Sequence, residues 1–354
     1  MQSESGVADL VLRTEASVAI GTGHVMRCLA LAQAWEDAGG RAIFAMAQTT
    51  PAVEGRLRNE GFEVARVSAQ VGNASDAEET AELAHQRGAS WVVVDGYEFG
   101  AEYQASLKSR GVKILFIDDN GHAAYYSADL VLNQNTHASE NLYSNREPYT
   151  RLLLGSRYVL LRREFERWRI WKREIPVHGR KILITMGGSD PDNLTSRAIQ
   201  ASMEARIEGL EAMVVVGGSN PHLESLQRLA TECGESVRLL RDPSNMPDLM
   251  AWADLALIAA GGTLWELLSM GCPVLSYARN EVQAQIISQL SEEGIVRGLG
   301  YPQESSQAET AALVELANSQ ERRARCSQLA RERVDGHGAR RVFELLISGG
   351  AGQR

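Results

Sequence analysis

The sequence predicts an α/β protein built from two doubly wound parallel sheets. Short runs of Val, Ile and Leu alternate with segments of helical composition along almost all of the 354 residues. Strands that helices cover on both faces have continuous apolar runs of this kind. The length suffices for two domains that each bury a core, and a charged stretch at residues 162–174 interrupts the alternation near the middle.

The N-terminal domain is predicted to span residues 1–160. Glycines that follow its helical segments, such as Gly88 and Gly111, are typical stop signals. Residues 120–150 are polar and are predicted to be irregular, and the polar first eight residues are expected to lack order. The predicted strands lie at residues 10–12, 42–45, 62–64, 91–94, 114–117 and 152–154.

The second half repeats the pattern after a predicted charged linker helix at residues 161–178. Pro176 marks the boundary between the domains. The C-terminal domain is predicted at residues 179–335, and residues 336–354 predict an amphipathic helix that could pack across the two domains. The predicted strands of the second domain lie at residues 181–185, 213–216, 237–240, 255–258 and 273–275.

Composition and charge exclude several classes of protein. The net charge of -9 argues against nucleic acid or an anionic membrane as the main partner. No apolar run approaches the roughly 20 residues of a spanning helix, and the acid-containing N-terminus does not predict a signal peptide. Four widely separated cysteines without metal-ligand spacing predict reduced thiols. We therefore expect a soluble cytoplasmic protein that uses no cofactor and is a monomer or weak homodimer.

A glycine motif with a histidine follows the first predicted strand. In the run from Gly21 through Gly23 and His24 to Arg27, the glycines allow the backbone to approach a ligand closely. Exposed amides at a helix start attract anions, and the imidazole could lie beside a bound phosphate ester. For this motif alone, a tight turn with a surface histidine is the more common explanation.

Two Gly-Gly loops in the second half each join a predicted strand to a predicted helix. Their amides and one hydroxyl could hold a diphosphate, although neither loop matches a P-loop or a clean Gly-x-Gly-x-x-Gly. Each loop alone could simply make a tight turn, but the two together favour anion binding. The loop residues are Gly187, Gly188, Ser189, Gly261, Gly262, Thr263 and Leu264.

Three acidic positions and one tyrosine have two interpretations each. Glu266, three residues after Thr263, could complete a capping box or accept hydrogen bonds from ribose hydroxyls. Asp118 and Asp119 follow a predicted strand, and capping of a turn is favoured over metal binding because no third ligand is evident. We predict no metal site. Tyr97, which follows another strand, could line a cleft or contact substrate.

Taken together, ten motifs resemble a known family. They are Arg13-Thr14-Glu15-Ala16-Ser17, Ile20-Gly21-Thr22-Gly23-His24-Val25-Met26-Arg27-Cys28-Leu29, Val94-Asp95-Gly96-Tyr97, Ile117-Asp118-Asp119, Leu132-Asn133-Gln134, Leu154-Gly155, Leu160-Leu161-Arg162-Arg163-Glu164-Phe165, Met186-Gly187-Gly188-Ser189-Asp190, Ala260-Gly261-Gly262-Thr263-Leu264-Trp265-Glu266-Leu267 and Met270-Gly271-Cys272-Pro273. The chain resembles the UDP-2,4-diacetamido-2,4,6-trideoxy-β-L-altropyranose hydrolases of the pseudaminic acid pathway, which are related to the spore-coat polysaccharide protein G group. The resemblance covers nearly the whole chain.

The resemblance implies a GT-B fold, with two Rossmann-like doubly wound domains that face each other across a cleft. It further implies a UDP-sugar substrate, with UDP mainly on the second domain, the sugar facing the His24 loop, and no metal. His24 would act as catalytic base on water, with Tyr97 lining the sugar site and Asn280 near the sugar. Glu281 stands where the family usually has glutamine, which leaves the identity of the sugar open. The implied substrate-binding residues are Gly21, Gly23, Arg27, Gly187, Gly188, Ser189, Gly261, Gly262, Thr263, Leu264, Glu266 and Glu281.

These features predict hydrolysis of a UDP-sugar by water that attacks C1 with inversion. An imidazole with an unperturbed pKa of about 6.5 can take a proton from water near neutral pH. Diphosphate is a good leaving group once backbone amides hold its charge. Two alternatives remain open, because a fold does not decide function: a glycosyltransferase whose His24 deprotonates an acceptor hydroxyl, and a sugar-nucleotide-binding protein without catalysis.

Overall fold

The computed structural model describes residues 7–17, 20–302 and 306–350. The chain divides into two compact units, one of residues 1–163 with 336–354 and the other of residues 164–335. Most of the N-terminal segment for which we expect no order lies outside the described residues. Within the described ranges, no helix is both long and apolar enough to cross a bilayer.

The first unit contains a parallel sheet in the order β3-β2-β1-β4-β5-β6-β7. Its central strands are buried on both faces, as the continuous apolar runs predict. The strands are β1 (Leu10–Thr14), β2 (Ala42–Met46), β3 (Glu63–Arg66), β4 (Trp91–Asp95), β5 (Ile114–Ile117), β6 (Leu130–Asn133) and β7 (Arg151–Leu154). The helices between them are α1 (Gly23–Asp37), α2 (Pro51–Asn59), α3 (Ala74–Arg87) and α4 (Ala101–Ser109).

The second unit contains a parallel sheet in the order β10-β9-β8-β11-β12-β13. This is the doubly wound order in which the strand sequence reverses next to the first strand. The strands are β8 (Lys181–Thr185), β9 (Glu211–Val216), β10 (Val237–Arg241), β11 (Leu255–Ala259), β12 (Val274–Tyr277) and β13 (Val296–Gly300). The helices are α5 (Leu194–Glu204), α6 (Leu223–Glu232), α7 (Met246–Trp252), α8 (Gly262–Ser269), α9 (Glu281–Glu292), α10 (Gln307–Asn318) and α11 (Gln320–Arg333).

The last helix, α12 (Gly338–Gly350), packs against α1 within the first unit. Val342 and Leu346 on α12 are fully buried in the same core as α1. The rings of Trp35 and Phe343 meet edge to face at 5.4 Å. The helix that carries His24 is therefore held from behind by the C-terminal segment.

Two strands and one connection differ from the prediction. Strand β6 lies in the segment predicted to be irregular, and β13 was not predicted, because an apolar run of three residues or a strand containing Gly298 gives little signal. Where a linker helix was predicted, a 3-10 helix spans Arg163–Trp168 and irregular chain follows. Arg173 there donates to the backbone carbonyls of Met250, Ala253 and Met270 at the C-terminal ends of α7 and α8, so tertiary contacts override helix propensity.

Replacing Gly338 with alanine should destabilise the first unit. A Cβ at this position would lie 2.0 Å from the carbonyl oxygen of Val159, so α12 would have to shift away from its contacts. Overpacking of this kind costs about 1–3 kcal/mol. Denaturant unfolding followed by circular dichroism measures the loss.

The matched control is Gly349→Ala on the same helix, where the new Cβ meets a Trp91 ring atom at an ordinary 3.5 Å. It should unfold at nearly the wild-type midpoint. Equal stability of the two alanine variants would contradict the assigned packing of α12.

Candidate active site

The chemistry-bearing residues of the first unit meet at the carboxyl edge of its sheet. His24 is the second residue of α1, directly after the loop that follows β1. Asp95 is the last residue of β4, the neighbour of β1, and Asp119 follows β5, the neighbour of β4. The strand order reverses between β1 and β4, which is where doubly wound sheets bind ligands.

His24 and Asp95 form a hydrogen-bonded pair. Nδ1 of His24 lies 2.7 Å from Oδ1 of Asp95, whose side chain is fully buried. Because a carboxylate only accepts, Nδ1 carries the proton and donates it, which leaves Nε2 with a lone pair. Nε2 has no hydrogen-bond partner among the described residues. The imidazole is thus oriented for proton uptake at Nε2.

Arg27, one turn further along α1, holds two carboxylates. Its Nε and Nη2 donate to the two oxygens of Asp95, each at 2.6 Å, and its Nη1 donates to Asp119 at 2.7 Å. Nη2 is also 3.1 Å from Nδ1 of His24, but both atoms are donors that share Oδ1 of Asp95. We predicted Arg27 to bind substrate, but these contacts favour a positioning role behind His24.

The two carboxylates are ionised despite their burial. Burial alone would raise the pKa of Asp95, but the charge of Arg27 and hydrogen bonds from Arg27 and His24 hold that pKa below its usual value. Burial opposes ionisation of Asp119 as well, and the charge of Arg27 again outweighs it and holds the pKa of Asp119 well below its usual range. Two carboxylates and one guanidinium leave this cluster with a net negative charge while His24 is neutral.

Tyr97 presents an exposed ring beside His24. Its hydroxyl donates to Oδ2 of Asp119 at 3.1 Å, and its ring meets those of His24 and His122 edge to face at 5.2 and 5.6 Å. Burial of the hydroxyl and the nearby charge of Asp119 raise the pKa of Tyr97, so the phenol stays protonated. Since 54% of the residue is exposed, Tyr97 offers a ring surface to a ligand.

Asp118 caps a turn, as the favoured interpretation of this acidic pair predicts. Its Oδ1 accepts hydrogen bonds from the amides of Asn120 and Gly121 and contacts Nδ1 of His122 at 3.1 Å. Asp119 instead pairs with Arg27. Within the described residues, no three His, Cys, Asp or Glu side chains are grouped as metal ligands.

Sequence reasoning missed the roles of Asp95 and Asp119. Both stood in motifs that ended predicted strands, but neither was selected as a site residue. The available signal was positional, because residues at the carboxyl ends of adjacent parallel strands come together. That signal requires the order β1-β4-β5, which the sequence alone does not supply.

In the second unit, the loop after β8 contains a carboxylate, that of Asp190, which binds the first amides of the following helix. Gly187 has a φ of 86°, a conformation that favours glycine. Asp190, fully buried, accepts hydrogen bonds from the amides of Leu194 and Thr195, each at 2.9 Å, and so caps α5. The start of α5 therefore already holds a negative charge, while the loop residues Gly188 and Ser189 precede this cap.

The loop after β11 leaves the start of α8 open. Gly261 is the N-cap and has no side chain with which to cap the helix. Gly261 and Gly262 are exposed, and a Cβ at either would meet nothing within 4 Å. Thr263 lies inside the helix rather than at its N-cap, so the capping-box interpretation of Glu266 is wrong. The free amides here suit an anion better than those of α5.

Asn280 and Glu281 begin the helix that follows β12, the neighbour of β11. Asn280 is the N-cap of α9, and its Oδ1 accepts from the amide of Gln283 at 2.9 Å. Glu281 is the first helical residue, and both side chains are exposed. The predicted second-unit residues thus share the carboxyl edge of β8, β11 and β12. The His24 cluster belongs to the other unit.

Sequence comparison finds relatives of named function, although no family model matches the chain. The chain is 26% identical over 277 residues to UDP-2,4-diacetamido-2,4,6-trideoxy-beta-L-altropyranose hydrolase of Campylobacter jejuni. The aligned region covers 77% of this chain and 93% of that protein. It is 27% identical over 191 residues to spore coat polysaccharide biosynthesis protein SpsG of Bacillus subtilis. The predicted resemblance is confirmed.

The coverage of the relatives differs. The SpsG match spans 53% of this chain and 54% of SpsG. A protein of Methanocaldococcus jannaschii is 25% identical over 282 residues, which is 78% of this chain and 57% of that protein. The chain therefore spans little more than half the length of two of these relatives.

Solved structures show the fold. MurG of Acinetobacter baumannii superposes with a TM-score of 0.65 at 15% identity, over 96% of this chain and 99% of MurG. Anabaena Alr3699/HepE in complex with UDP-glucose gives a TM-score of 0.61 at 16% identity, over 96% and 99% of the two chains. The chain has the GT-B fold, as predicted.

Replacing Asp119 with asparagine should lower the stability of the first unit in a pH-dependent way. The pKa of Asp119 is depressed in the folded state, so its contribution is present above the unfolded pKa of about 3.9 and is lost as pH falls further. We expect a loss of about 1–3 kcal/mol at pH 7 that holds down to about pH 4 and shrinks as the pH falls from about 4 towards 2. Urea unfolding across this range measures it.

Glu102→Gln, at an exposed carboxylate of α4, serves as the control and should change stability only slightly. A deficit of Asp119→Asn that stayed constant between about pH 4 and pH 2 would contradict the ionised pair with Arg27.

Proposed function

We propose that this protein hydrolyses a UDP-linked sugar to UDP and free sugar, with His24 as the general base. The similarity to a UDP-sugar hydrolase supports this proposal, as does a GT-B fold found in a protein crystallised with UDP-glucose. The observation that carries it is the His24–Asp95 pair, in which a buried carboxylate orients an imidazole whose second nitrogen is free. By the same similarity, the sugar is proposed to be a diacetamido-trideoxy sugar of the pseudaminic acid type.

In the proposed reaction, Nε2 of His24 removes a proton from water as the water oxygen bonds to C1. The bond between C1 and the phosphate oxygen breaks, and its electron pair leaves with UDP. Attack opposite the phosphate inverts the configuration at C1. General-base help of this kind typically contributes about 10²–10⁴-fold to the rate.

The charges of the His24 cluster suit this reaction. Glycosyl transfer passes through an oxocarbenium-like transition state, in which the sugar ring gains positive charge. The net negative charge that Asp95 and Asp119 leave after pairing with Arg27 would stabilise that charge. Tyr97 would line the sugar site with its exposed ring.

The departing diphosphate would be held by the second unit. We propose that the open amides of Gly262 and Thr263 at the start of α8 bind it, while Glu266 accepts hydrogen bonds from the ribose. The loop of Gly187, Gly188 and Ser189 would border the same site. Because backbone dipoles could hold the negative charge, the proposed reaction uses no metal.

Incubation with a UDP-linked diacetamido sugar and no acceptor tests the proposal. We expect equal amounts of UDP and free sugar, because water is the nucleophile, and an inverted anomer in proton NMR spectra recorded soon after mixing. Mass spectrometry across a panel of UDP-sugars would identify the preferred sugar. A strict requirement for an added acceptor would reject hydrolysis in favour of a glycosyltransferase, the class to which fold neighbours such as a rhamnosyltransferase belong.

His24→Gln should abolish most turnover without abolishing nucleotide binding. Glutamine retains hydrogen-bonding capacity but cannot serve as a base near pH 7, so kcat should fall by at least about 10². The affinity for UDP, measured by calorimetry, should change little. His85→Gln, at an exposed histidine of α3, is the control and should keep wild-type turnover. Undiminished turnover in His24→Gln would favour a binding protein or another base.

A further inference from the structure

We infer that Arg279 is a further substrate-binding residue, whose guanidinium binds the diphosphate of the nucleotide at the carboxyl edge of β11. This inference rests on the proposed function for the presence of a diphosphate. It adds a cation to a site that the sequence motifs describe only through loop amides and one hydroxyl.

The strand order places Arg279 over this site. The residue follows β12 by two positions, and its Nη1 donates to the carbonyl oxygen of Met186, directly after β8, at 3.5 Å. In the sheet, β11 lies between β8 and β12. Neighbouring strands are about 4.8 Å apart, so a side chain that links the two outer strands lies over the end of β11. Gly261 and the start of α8 follow directly from that end.

The backbone of Arg279 is held in place for this role. Its amide donates to Oε1 of Gln283 at 2.9 Å, and Oδ1 of Asn280 accepts from the amide of Gln283 at 2.9 Å. These two hydrogen bonds of Gln283 fix the chain at the start of α9. Asn280, which we predicted to be near the sugar, thereby also orients the residue before it.

The guanidinium is chemically free to bind an anion. Among the described residues, no carboxylate pairs with Arg279, and the long contact with Met186 uses one of its five N–H donors. The side chain is exposed. A planar fork of donors matches two phosphate oxygens at once, which an ammonium does not. Held beside uncapped helix amides, this fork would recognise a diphosphate rather than a nucleoside.

The test compares the binding of UDP and uridine to Arg279→Gln by calorimetry. We expect Arg279→Gln to bind UDP at least about tenfold more weakly than wild type, with uridine affinity within about twofold. Arg279→Lys should recover part of the loss, because it keeps the charge but not the fork. For a UDP-sugar, kcat of Arg279→Gln should fall by a similar factor, since the charge on the leaving group is less well held.

Arg228→Gln, at an exposed arginine of α6 away from this edge, is the matched control and should bind UDP as wild type does. Wild-type UDP affinity in Arg279→Gln, or an equal loss for uridine, would overturn the inference. Binding of UDP that depends on Arg279 without any turnover of UDP-sugars would reject the proposed hydrolysis alone. Turnover that is insensitive to Arg279→Gln, with unchanged UDP affinity, would reject the role of Arg279 alone.

Discussion

The fully buried carboxylate of Asp95 is the constraint on which the candidate site of the first unit depends. An unpaired charge inside a protein is very unfavourable, so this carboxylate requires donors on both oxygens. Arg27 supplies one to each oxygen, and His24 supplies another. The requirement sets the tautomer of His24 and leaves Nε2 as the basic nitrogen. The same guanidinium then holds Asp119, which in turn accepts the hydroxyl of Tyr97.

This arrangement explains why one helix carries so much of the site. His24 and Arg27 are three residues apart on α1, so they lie on the same face and reach the ends of β4 and β5 together. The packing of α12 behind α1 fixes the position of that face. A shift of α1 would therefore move the base and its supporting cation at the same time.

The second unit distributes charge differently at two helix starts that look alike in sequence. Both helices follow a Gly-Gly loop. The carboxylate of Asp190 caps α5, whereas the N-cap of α8 is Gly261, which has no side chain. An anion would be repelled at the first helix and attracted at the second. The guanidinium of Arg279 contacts the chain directly after β8, and we infer that it contributes a cation to the second. Local sequence shows the glycines, but hydrogen bonding decides which loop keeps free amides.

Much of the fold could be predicted from the order of residues. Short runs rich in apolar residues marked eleven of the strands, and Gly88, with a φ of 64°, ends α3 as its position predicts. Strands β6 and β13 were not predicted, because their sequences contain few apolar residues that would identify a strand. The linker at residues 162–174 has helical composition, but its Arg173 donates to backbone carbonyls at the C-terminal end of α7 instead.

The sequence by itself predicted the class of fold and the glycine loops at strand ends, and it singled out His24 as the proposed base. These features depend on local residue patterns, which can be identified directly from the sequence. Only the tertiary structure pairs Arg27 with carboxylates and brings Asp95 and Asp119 close to His24. It also decides that a carboxylate caps the first amides of α5 while those of α8 stay free. The physical reason is that pairing of buried charges depends on which strands are neighbours, and strand order is a property of the whole sheet.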